Sequence, residues 1–330
     1  MSRRLVVQAP HQLGWQEESP PTPGPGEALL KPLAVGLCGS DLHVYEGQHP
    51  FVRYPVYPGH EVAAQVLALG PGTDPGWLGA RVVLEPSLTC GRCPSCRSGR
   101  YNICHELRVM GFQAPGAMAE HFVAPLEKLH RLPEGLSPEQ GALVEPLAVA
   151  VHAVAQTRVA GLEVAVLGAG PIGLLVAQVA RAYGAASVRV VDPLEARRRL
   201  AEELGLPAQP PDGSRYEVVF ECVGSEKALE GAIRACHKGG EVVVVGVFGR
   251  PACISAGLVQ DWELTLRGSL MYTFRDYQEA LRLLAQGQAQ VEPLITHRFP
   301  LAEAPQAFAA ALRREQAVKV LLSHPDGGVV

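Results

Sequence analysis

Four of the chain's eight cysteines stand close together in the stretch CGRCPSCRSGRYNIC, residues 90 to 104. They are Cys90, Cys93, Cys96 and Cys104, with the spacing C-x2-C-x2-C-x7-C. Closely spaced thiolates with a fourth that returns after a short loop are typical of tetrahedral zinc. A bacterial iron–sulfur run would bring its last cysteine after about three residues. Free or disulfide-bonded thiols remain an alternative. Because four sulfurs would fill a zinc site, we predict a structural role rather than a catalytic one.

A second set of metal-binding side chains is divided between GLCGSDLH, residues 36–43, and PGHE, residues 58–61. These motifs offer Cys38, His60 and Glu61, a mixed ligand set of the kind that leaves one position of a zinc ion open. A single cysteine is more often buried in a core, and a single histidine is more often an ordinary polar residue. This set therefore depends on what surrounds it.

The segment GAGPIG, residues 168–173, follows one predicted strand and begins a predicted helix, which is the context of a dinucleotide-binding loop. Gly168 would allow the tight turn, Gly170 the approach of a pyrophosphate, and Gly173 close packing of helix on strand. Pro171 and Ile172 belong to the same predicted cofactor site, at the helix N-terminus that favours negative charge. A plain tight turn is the alternative.

Asp192 ends the next predicted strand, SVRVVD. A carboxylate there can bind ribose hydroxyls and would repel a 2′-phosphate, which favours NAD over NADP. The arginines at 197–199 could bind that phosphate, but a solvated helix face is favoured because Asp192 precedes them; Arg197 is kept as a candidate cofactor contact. Val223 and Val247, after later predicted strands, complete the predicted site.

Two kinds of secondary structure must position these residues. Up to about residue 145, short apolar runs such as EALLKPLAV lie between Gly/Pro segments and predict a β-rich region. From 148, strands alternate with helices, which predicts βαβ units and a doubly wound parallel sheet. Only LPAQPPDGSR separates one predicted helix from the next strand, so one β–α unit, near residues 206–215, should be lost or reduced to a loop.

The composition excludes several classes of protein. The net charge of −4 argues against a nucleic-acid partner, which usually meets a basic face. No run approaches the ~18–20 apolar residues that span a membrane, and the N-terminus does not resemble a signal peptide. We therefore expect a cytoplasmic protein, in which metal ligation by cysteine is more common than disulfides.

The chain resembles the zinc-containing medium-chain dehydrogenases over essentially its whole length. The two ligand motifs, the cysteine run, ALVEPLAVAVHA, GAGPIG, ECVG and ITHRFPLAEAPQAF occur in the family's order. GHE at the zinc site, and EP in place of a further cysteine ligand, point to the polyol (sorbitol), sugar-acid and threonine dehydrogenase branch. The resemblance implies a GroES-like catalytic domain over 1–147 and 292–330, with a structural zinc lobe at about 86–108. It implies a Rossmann NAD-binding domain over 148–291.

The resemblance also implies two zinc ions per chain, one structural and one catalytic. Cys38 and His60 match ligands of the catalytic zinc, and Glu61 matches an adjacent acid that coordinates zinc in some members. Glu145 matches an acid that meets the metal directly or through water. Asp41 matches the acid that orients the ligand histidine, with a turn-capping aspartate as the alternative.

The activity implied is oxidation of a secondary alcohol, a polyol or sugar acid, to a ketone with NAD. Zinc would lower the pKa of the substrate hydroxyl, and NAD would accept the hydride. Ser40 and His43 match the groups that carry the proton away, although a turn serine and a surface histidine would look alike. An L-threonine 3-dehydrogenase, a general alcohol dehydrogenase, a zinc-free reductase and a non-catalytic relative are the alternatives.

Substrate and assembly are less defined. Tyr272 matches an aromatic residue that contacts polyol in sorbitol dehydrogenase, but Met271 replaces its arginine partner, which argues against sorbitol itself. The segment YEGQHPFVRYPVYPGHE resembles sugar-acid dehydrogenases, in which case Arg53 would meet a substrate carboxylate; an exposed loop arginine is the alternative. Relatives of this kind lead us to expect a homodimer or homotetramer. EVVVVGVF could supply an interface strand or be buried.

Overall fold

The computed structural model describes residues 1–313 and 315–324. The chain forms two compact units. The first contains Met1–Glu145 and the residues from Ile295 onward, and the second contains Pro146–Leu294. These bounds lie two to three residues from those expected.

The strands, in chain order, are β1 (Ser2–Ala9), β2 (Gln12–Glu18), β3 (Glu27–Leu37), β4 (Glu61–Leu69), β5 (Arg81–Leu84), β6 (Ser87–Leu88), β7 (Arg108–Val109), β8 (Phe122–Pro125), β9 (Leu129–Arg131), β10 (Glu163–Leu167), β11 (Ser187–Val191), β12 (Ala208–Gln209), β13 (Tyr216–Glu221), β14 (Cys236–Val244), β15 (Thr265–Gly268), β16 (Ile295–Pro300) and β17 (Lys319–Ser323). The helices are α1 (Gly39–Tyr45), α2 (Pro94–Arg97), α3 (Pro138–Ala142), α4 (Val144–Val154), α5 (Pro171–Ala182), α6 (Glu195–Glu203), α7 (Glu226–Arg234), α8 (Ala256–Asp261), α9 (Phe274–Ala285) and α10 (Ala304–Ala311).

The first unit is built on a seven-stranded sheet of order β16-β17-β3-β4-β5-β9, with β8 also paired to β3. Its neighbours are antiparallel except β16 and β17, which are parallel. In β3, buried residues alternate with half-buried ones, as expected of a strand with one face on a core. That core contains Leu30, Val62, Val82 and Phe122. The β-rich prediction is correct for the sheet, but it missed the short helices α1, α2 and α3.

The second unit is a six-stranded parallel sheet of order β12-β11-β10-β13-β14-β15. Strands β11 and β12 lie on one side of β10, and β13, β14 and β15 lie on the other. This reversal of strand order at β10 confirms the predicted doubly wound Rossmann sheet. Strand β14, the apolar run considered for an interface, pairs with β13 on one side and β15 on the other. Burial inside the sheet therefore explains its apolar character.

The predicted trimming of one β–α unit is visible at the sheet edge. Strand β12 has only two residues, and the chain passes from it to β13 without a helix. The unit keeps a remnant of its strand and lacks its helix. Among residues 1–313 and 315–324, no helix combines the length and apolar character that a membrane span requires.

Candidate active site and zinc centres

The first candidate metal ligand, Cys38, directly precedes helix α1. Cys38 is the N-cap residue, and its backbone N–H donates to Asp41 Oδ2 at 2.9 Å. The other oxygen, Asp41 Oδ1, lies 3.6 Å from His60 Nδ1, and in the described part of the chain neither of these two buried atoms has a hydrogen-bond partner. The two interpretations of Asp41 therefore both apply, one oxygen capping the helix and the other facing the histidine. This contact leaves His60 Nε2 for a metal.

The structure brings the predicted ligands Cys38, His60 and Glu61 together. One ligand atom from each lies within 4.8 Å of the others. Burial alone would lower the pKa of His60, but the charges of Asp41 and Cys38 reverse this and raise that pKa well above its ordinary value. A buried group with this much negative charge, and with nitrogen, sulfur and oxygen donors, fits a zinc ion.

A lysine that sequence reasoning missed holds one of these acids. Lys319 Nζ donates to both Glu61 oxygens at 2.7 Å and to Leu37 O at 3.2 Å. Lys319 and Glu61 are only 3% and 1% exposed. Burial alone would lower the pKa of Lys319, but the charges of Glu61 and Cys38 raise it instead. The ion pair lies next to Gly36. A Cβ atom at this position would lie 2.0 Å from Glu61 Oε2.

The other predicted active-site residues lie on helices α1 and α4. Glu145, at the start of α4, is buried outside the three-residue ligand group, but its charge also raises the pKa of Lys319. Ser40 and His43 are both half-buried and stand three residues apart on α1, so they share one helix face.

One predicted substrate contact, Tyr272, is covered in the structure. Tyr272 is completely buried and packs edge-on to Tyr277, with ring centroids 4.8 Å apart. This burial explains the ring by packing, and its contact with substrate stays a prediction. Met271 has φ of +49°, an uncommon conformation for a non-glycine residue. Arg53 is exposed on the loop that precedes His60, and its substrate role stays a prediction.

The four clustered cysteines have the geometry of a zinc site. The Sγ–Sγ distances are 3.9 Å for Cys90–Cys96, 3.5 Å for Cys93–Cys96 and 3.5 Å for Cys90–Cys104. Tetrahedral zinc with Zn–S bonds of about 2.3 Å needs sulfurs about 3.8 Å apart. Backbone N–H groups of His105 and Cys96 lower the pKa of Cys93 to about 6. The donors therefore fit a zinc ion with four thiolate ligands.

Neighbouring strands and side chains hold the cysteine lobe in place. Strands β6 and β7 pair antiparallel at its base. Next to β6, the buried carboxylate of Glu85 accepts from Ser87 at 2.8 Å and from Lys128 at 3.2 Å, and it lies 3.2 Å from His130 Nε2. Lys128 also lies over the ring of Tyr101 in the lobe, 4.9 Å from its centroid. These contacts support a structural role for the lobe.

The glycine loop in the second unit has the properties predicted for its three glycines. Gly168 has φ of +101°, which suits a tight turn. Among residues 1–313 and 315–324, none other than its chain neighbours lies within 4 Å of a Cβ atom built on Gly170, so the backbone is open to a ligand. A Cβ atom on Gly173 would lie 1.8 Å from Gly168 O, so only glycine permits this packing. Pro171 and Ile172 form the first turn of α5, where free N–H groups favour a phosphate.

Asp192 lies directly after β11, and backbone N–H groups hold its carboxylate in place. Oδ2 accepts from Ala169 at 2.8 Å and Oδ1 accepts from Leu194 at 2.8 Å. Asp192 lines a cavity of about 600 Å³ together with Gly168 and Val223. That volume falls in the range of small-molecule sites. The cavity also touches Asp212, on the loop that replaces the trimmed unit.

The arginines of α6 differ in their contacts. Arg198 donates to the carbonyls of Asp192 and Pro193, both at 2.8 Å. Arg199 donates to Glu195 on the exposed helix face. Arg197 is half-buried, and burial lowers its pKa, while the charge of Asp192 acts in the opposite direction.

Val223 and Val247, the remaining predicted cofactor contacts, are each about half exposed. The two loops that carry these valines are in contact. A Cβ atom on Gly224, next to Val223, would lie 2.4 Å from Val247 O.

Two residues near the metal group escaped sequence reasoning. Lys319 is the single charged residue of β17, and a lone lysine in an apolar strand must find a partner if it is buried. His49 stacks on Phe112, which contacts His60. No local pattern distinguishes His49 from an ordinary loop histidine.

Comparisons with known proteins agree with this arrangement. Residues 24–134 match the alcohol dehydrogenase GroES-like domain, and residues 171–286 match the zinc-binding dehydrogenase domain. The chain is 35% identical to L-galactonate-5-dehydrogenase of Escherichia coli strain K12, over 92% of this chain and 93% of the relative. It is 34% identical to sorbitol dehydrogenase of Halalkalibacterium halodurans, over 98% and 100%. It is 36% identical to L-threonine 3-dehydrogenase of Pyrococcus furiosus, over 84% and 86%.

Solved structures carry the same fold. A zinc-binding dehydrogenase from Sinorhizobium meliloti 1021 bound to NADP has a TM-score of 0.90 and 33% identity, with 98% and 99% of the two chains covered. A short chain alcohol dehydrogenase from Escherichia coli CFT073 complexed with NADH has a TM-score of 0.92 and 28% identity, with the same coverage.

Proposed function

The chain belongs to the zinc-containing medium-chain dehydrogenase family, and we propose that it oxidises a secondary alcohol, a polyol or sugar acid, to a ketone with NAD. The observation that carries this proposal is the group formed by Cys38, His60 and Glu61, with Asp41 behind the histidine. Likeness to the galactonate and sorbitol dehydrogenases supports the substrate class.

We assign separate roles to the residues of the two candidate zinc centres and to Ser40. Cys38 and His60 would hold the zinc, together with Glu61 or Glu145, and the four-cysteine lobe would hold a second, structural zinc. When bound, the catalytic zinc supplies positive charge that lowers the pKa of an alcohol hydroxyl, and NAD accepts the hydride. Ser40 would accept the hydroxyl proton at its Oγ while it gives its own proton to the next acceptor. The carbon that bears the hydroxyl would give its hydride to NAD and become the carbonyl carbon of the ketone.

The proton then leaves along α1. Ser40 and His43 stand on one helix face, and histidine is a common proton carrier near neutral pH. His43 passes the proton towards solvent.

NAD rather than NADP is the proposed cofactor. Asp192 lines the cavity where we place the ribose, and a carboxylate there would repel a 2′-phosphate. Arg198 and Arg199 are already engaged by backbone carbonyls and by Glu195. The relatives with NADP and with NADH show that the family fold accepts both.

The experiment is a spectrophotometric screen for reduced cofactor with NAD and NADP in parallel. The substrates are D-sorbitol, L-galactonate, butane-2,3-diol, butan-2-ol and L-threonine. We expect NADH from the polyols or the sugar acid. Turnover of threonine alone would favour the second candidate, a threonine 3-dehydrogenase, which the Pyrococcus furiosus relative supports. No reduced cofactor with any substrate would refute the proposal.

We also propose a homodimer or homotetramer. Strand β15 is the edge of its sheet and is mostly exposed, so its unpaired backbone side is available to a second copy. Light scattering would measure the mass in solution, and a monomer would exclude this assembly.

A further inference from the structure

The loop after α1 brings a histidine towards the candidate metal group. This loop, residues 46–53, contains His49. The backbone N–H groups of Gln48 and His49 both donate to His43 O, at 2.7 and 3.1 Å. The loop is therefore attached to the backbone of the residue proposed to carry the proton.

The His49 side chain reaches the same neighbourhood through aromatic contacts. Its ring stacks on Phe112, with centroids 4.9 Å apart and an interplanar angle of 21°. Phe112 in turn contacts His60, with centroids 4.8 Å apart. The charges of Asp41 and His43 also act on His49. His49 thus stands beside the metal group, one ring away from its ligand histidine.

The hydrogen bonds of His49 define which ring nitrogen is free to donate. Phe51 N–H donates to His49 Nδ1 at 3.3 Å. The Phe51 peptide is itself held, since its carbonyl accepts from Gln113 Nε2 at 3.0 Å. An accepting Nδ1 places the proton of the neutral ring on Nε2. Burial and the charge of His43 lower the pKa of His49, which favours that neutral ring. Within the described residues, Nε2 makes no hydrogen bond.

We propose that His49 Nε2 donates to a second substrate oxygen, a hydroxyl on the carbon next to the one oxidised, and so selects vicinal diols. The inference rests on the proposed function and narrows its substrate class. A donor on a ring one contact away from the ligand histidine favours a substrate that carries a second acceptor next to the reacting hydroxyl. An alcohol with one hydroxyl leaves that donor unpaired, which discriminates against it.

The test compares variants of His49 on a matched pair of substrates. The pair is butane-2,3-diol and butan-2-ol, which differ by the second hydroxyl, and D-sorbitol and L-galactonate extend the diol set. His49→Phe keeps an aromatic ring against Phe112 but removes the donor, whereas His49→Gln keeps an N–H donor. The control is His297→Phe, because His297 also stacks on a phenylalanine, Phe299, but lies on β16 outside the site.

We expect His49→Phe to lower the ratio of kcat/KM for diol over butan-2-ol about threefold to tenfold, the loss of one hydrogen bond to a neutral group. The change should appear mainly in KM. His49→Gln should recover part of the ratio, and His297→Phe should match the wild type. NADH fluorescence should show weaker binding of the diol to the His49→Phe enzyme–NADH complex, with zinc content unchanged.

Two failures can be told apart. If the wild type oxidises none of the diols, the proposed function fails and this inference fails with it. If the wild type oxidises them but His49→Phe leaves the diol ratio and diol binding unchanged, His49 has only a structural role and the inference is overturned.

Discussion

Replacing Lys319 with Met tests how the first unit stabilises Glu61, a buried acid of the candidate metal group. The side chains are similar in length, but methionine removes the positive charge that meets both Glu61 oxygens at 2.7 Å. Glu61 is 1% exposed and would then be a buried carboxylate without a counter-charge. Breaking a buried ion pair on one side costs about 3–5 kcal/mol.

The assay is urea unfolding of the zinc-free protein followed by tryptophan fluorescence. Trp15 and Trp77 belong to the first unit and Trp262 to the second, so a Trp262→Phe background reports on the first unit alone. With a slope of about 2 kcal/mol/M, the loss corresponds to a midpoint lower by about 1.5–2.5 M. The zinc-loaded protein should lose less, because zinc compensates the charge of Glu61.

The matched control is the double variant Lys319→Met/Glu61→Gln. It removes both charges, and most of the lost stability should return, since a buried pair replaced by neutral groups is often close to neutral in stability. Chelator competition should show tighter zinc binding in Lys319→Met, because the ammonium no longer competes with zinc for Glu61. The double variant should not show this gain. If Lys319→Met unfolds at the wild-type urea concentration, the ion pair does not have the role assigned to it.

Three further changes test other parts of the molecule. Cys93→Ser should remove one of two zinc ions per chain and lower the melting temperature, because structural zinc contributes directly to folding; unchanged melting would contradict this role. Asp192→Ala should reduce the preference for NAD over NADP about tenfold, measured as a ratio of kcat/KM, and an equal ratio would assign specificity elsewhere. Burial would raise the pKa of Glu85, but hydrogen bonding with His130 and the charge of Lys128 outweigh it and lower that pKa. The stability Glu85 contributes is therefore complete above its ordinary pKa of about 4.3 and is lost as pH falls through the lower folded value. Glu85→Gln should cost about 1–3 kcal/mol at neutral pH, and urea unfolding of the two proteins should converge in acid.

Much of the fold was predictable because it depends on local pattern. Short apolar runs between Gly/Pro segments predicted strands such as β3, and the alternation of strands with helices predicted the parallel sheet. The spacing of four cysteines predicted a zinc site, since a short segment limits how far its thiols can separate. The glycines of GAGPIG predicted a phosphate-binding turn because their roles concern backbone that is adjacent in sequence.

Contacts between distant segments required the tertiary structure. Lys319 and Glu61 are 258 residues apart in sequence, and they meet because β17 and β4 both pair with β3. Gly36 of β3 lies opposite Glu61 and opposite Leu321 of β17, and its missing side chain leaves room for the ion pair. The residue pattern of either segment alone does not reveal how the two strands align with β3.

The sequence by itself therefore determined the two-part fold class, the cysteine cluster and the glycine loop. The tertiary structure decided what each isolated side chain does. It placed Tyr272 in a core, gave the two oxygens of Asp41 separate partners and set His49 beside the metal group. The physical reason is that residue type and local spacing specify backbone and ligand chemistry, whereas burial and charge pairing depend on which segments the sheet brings together.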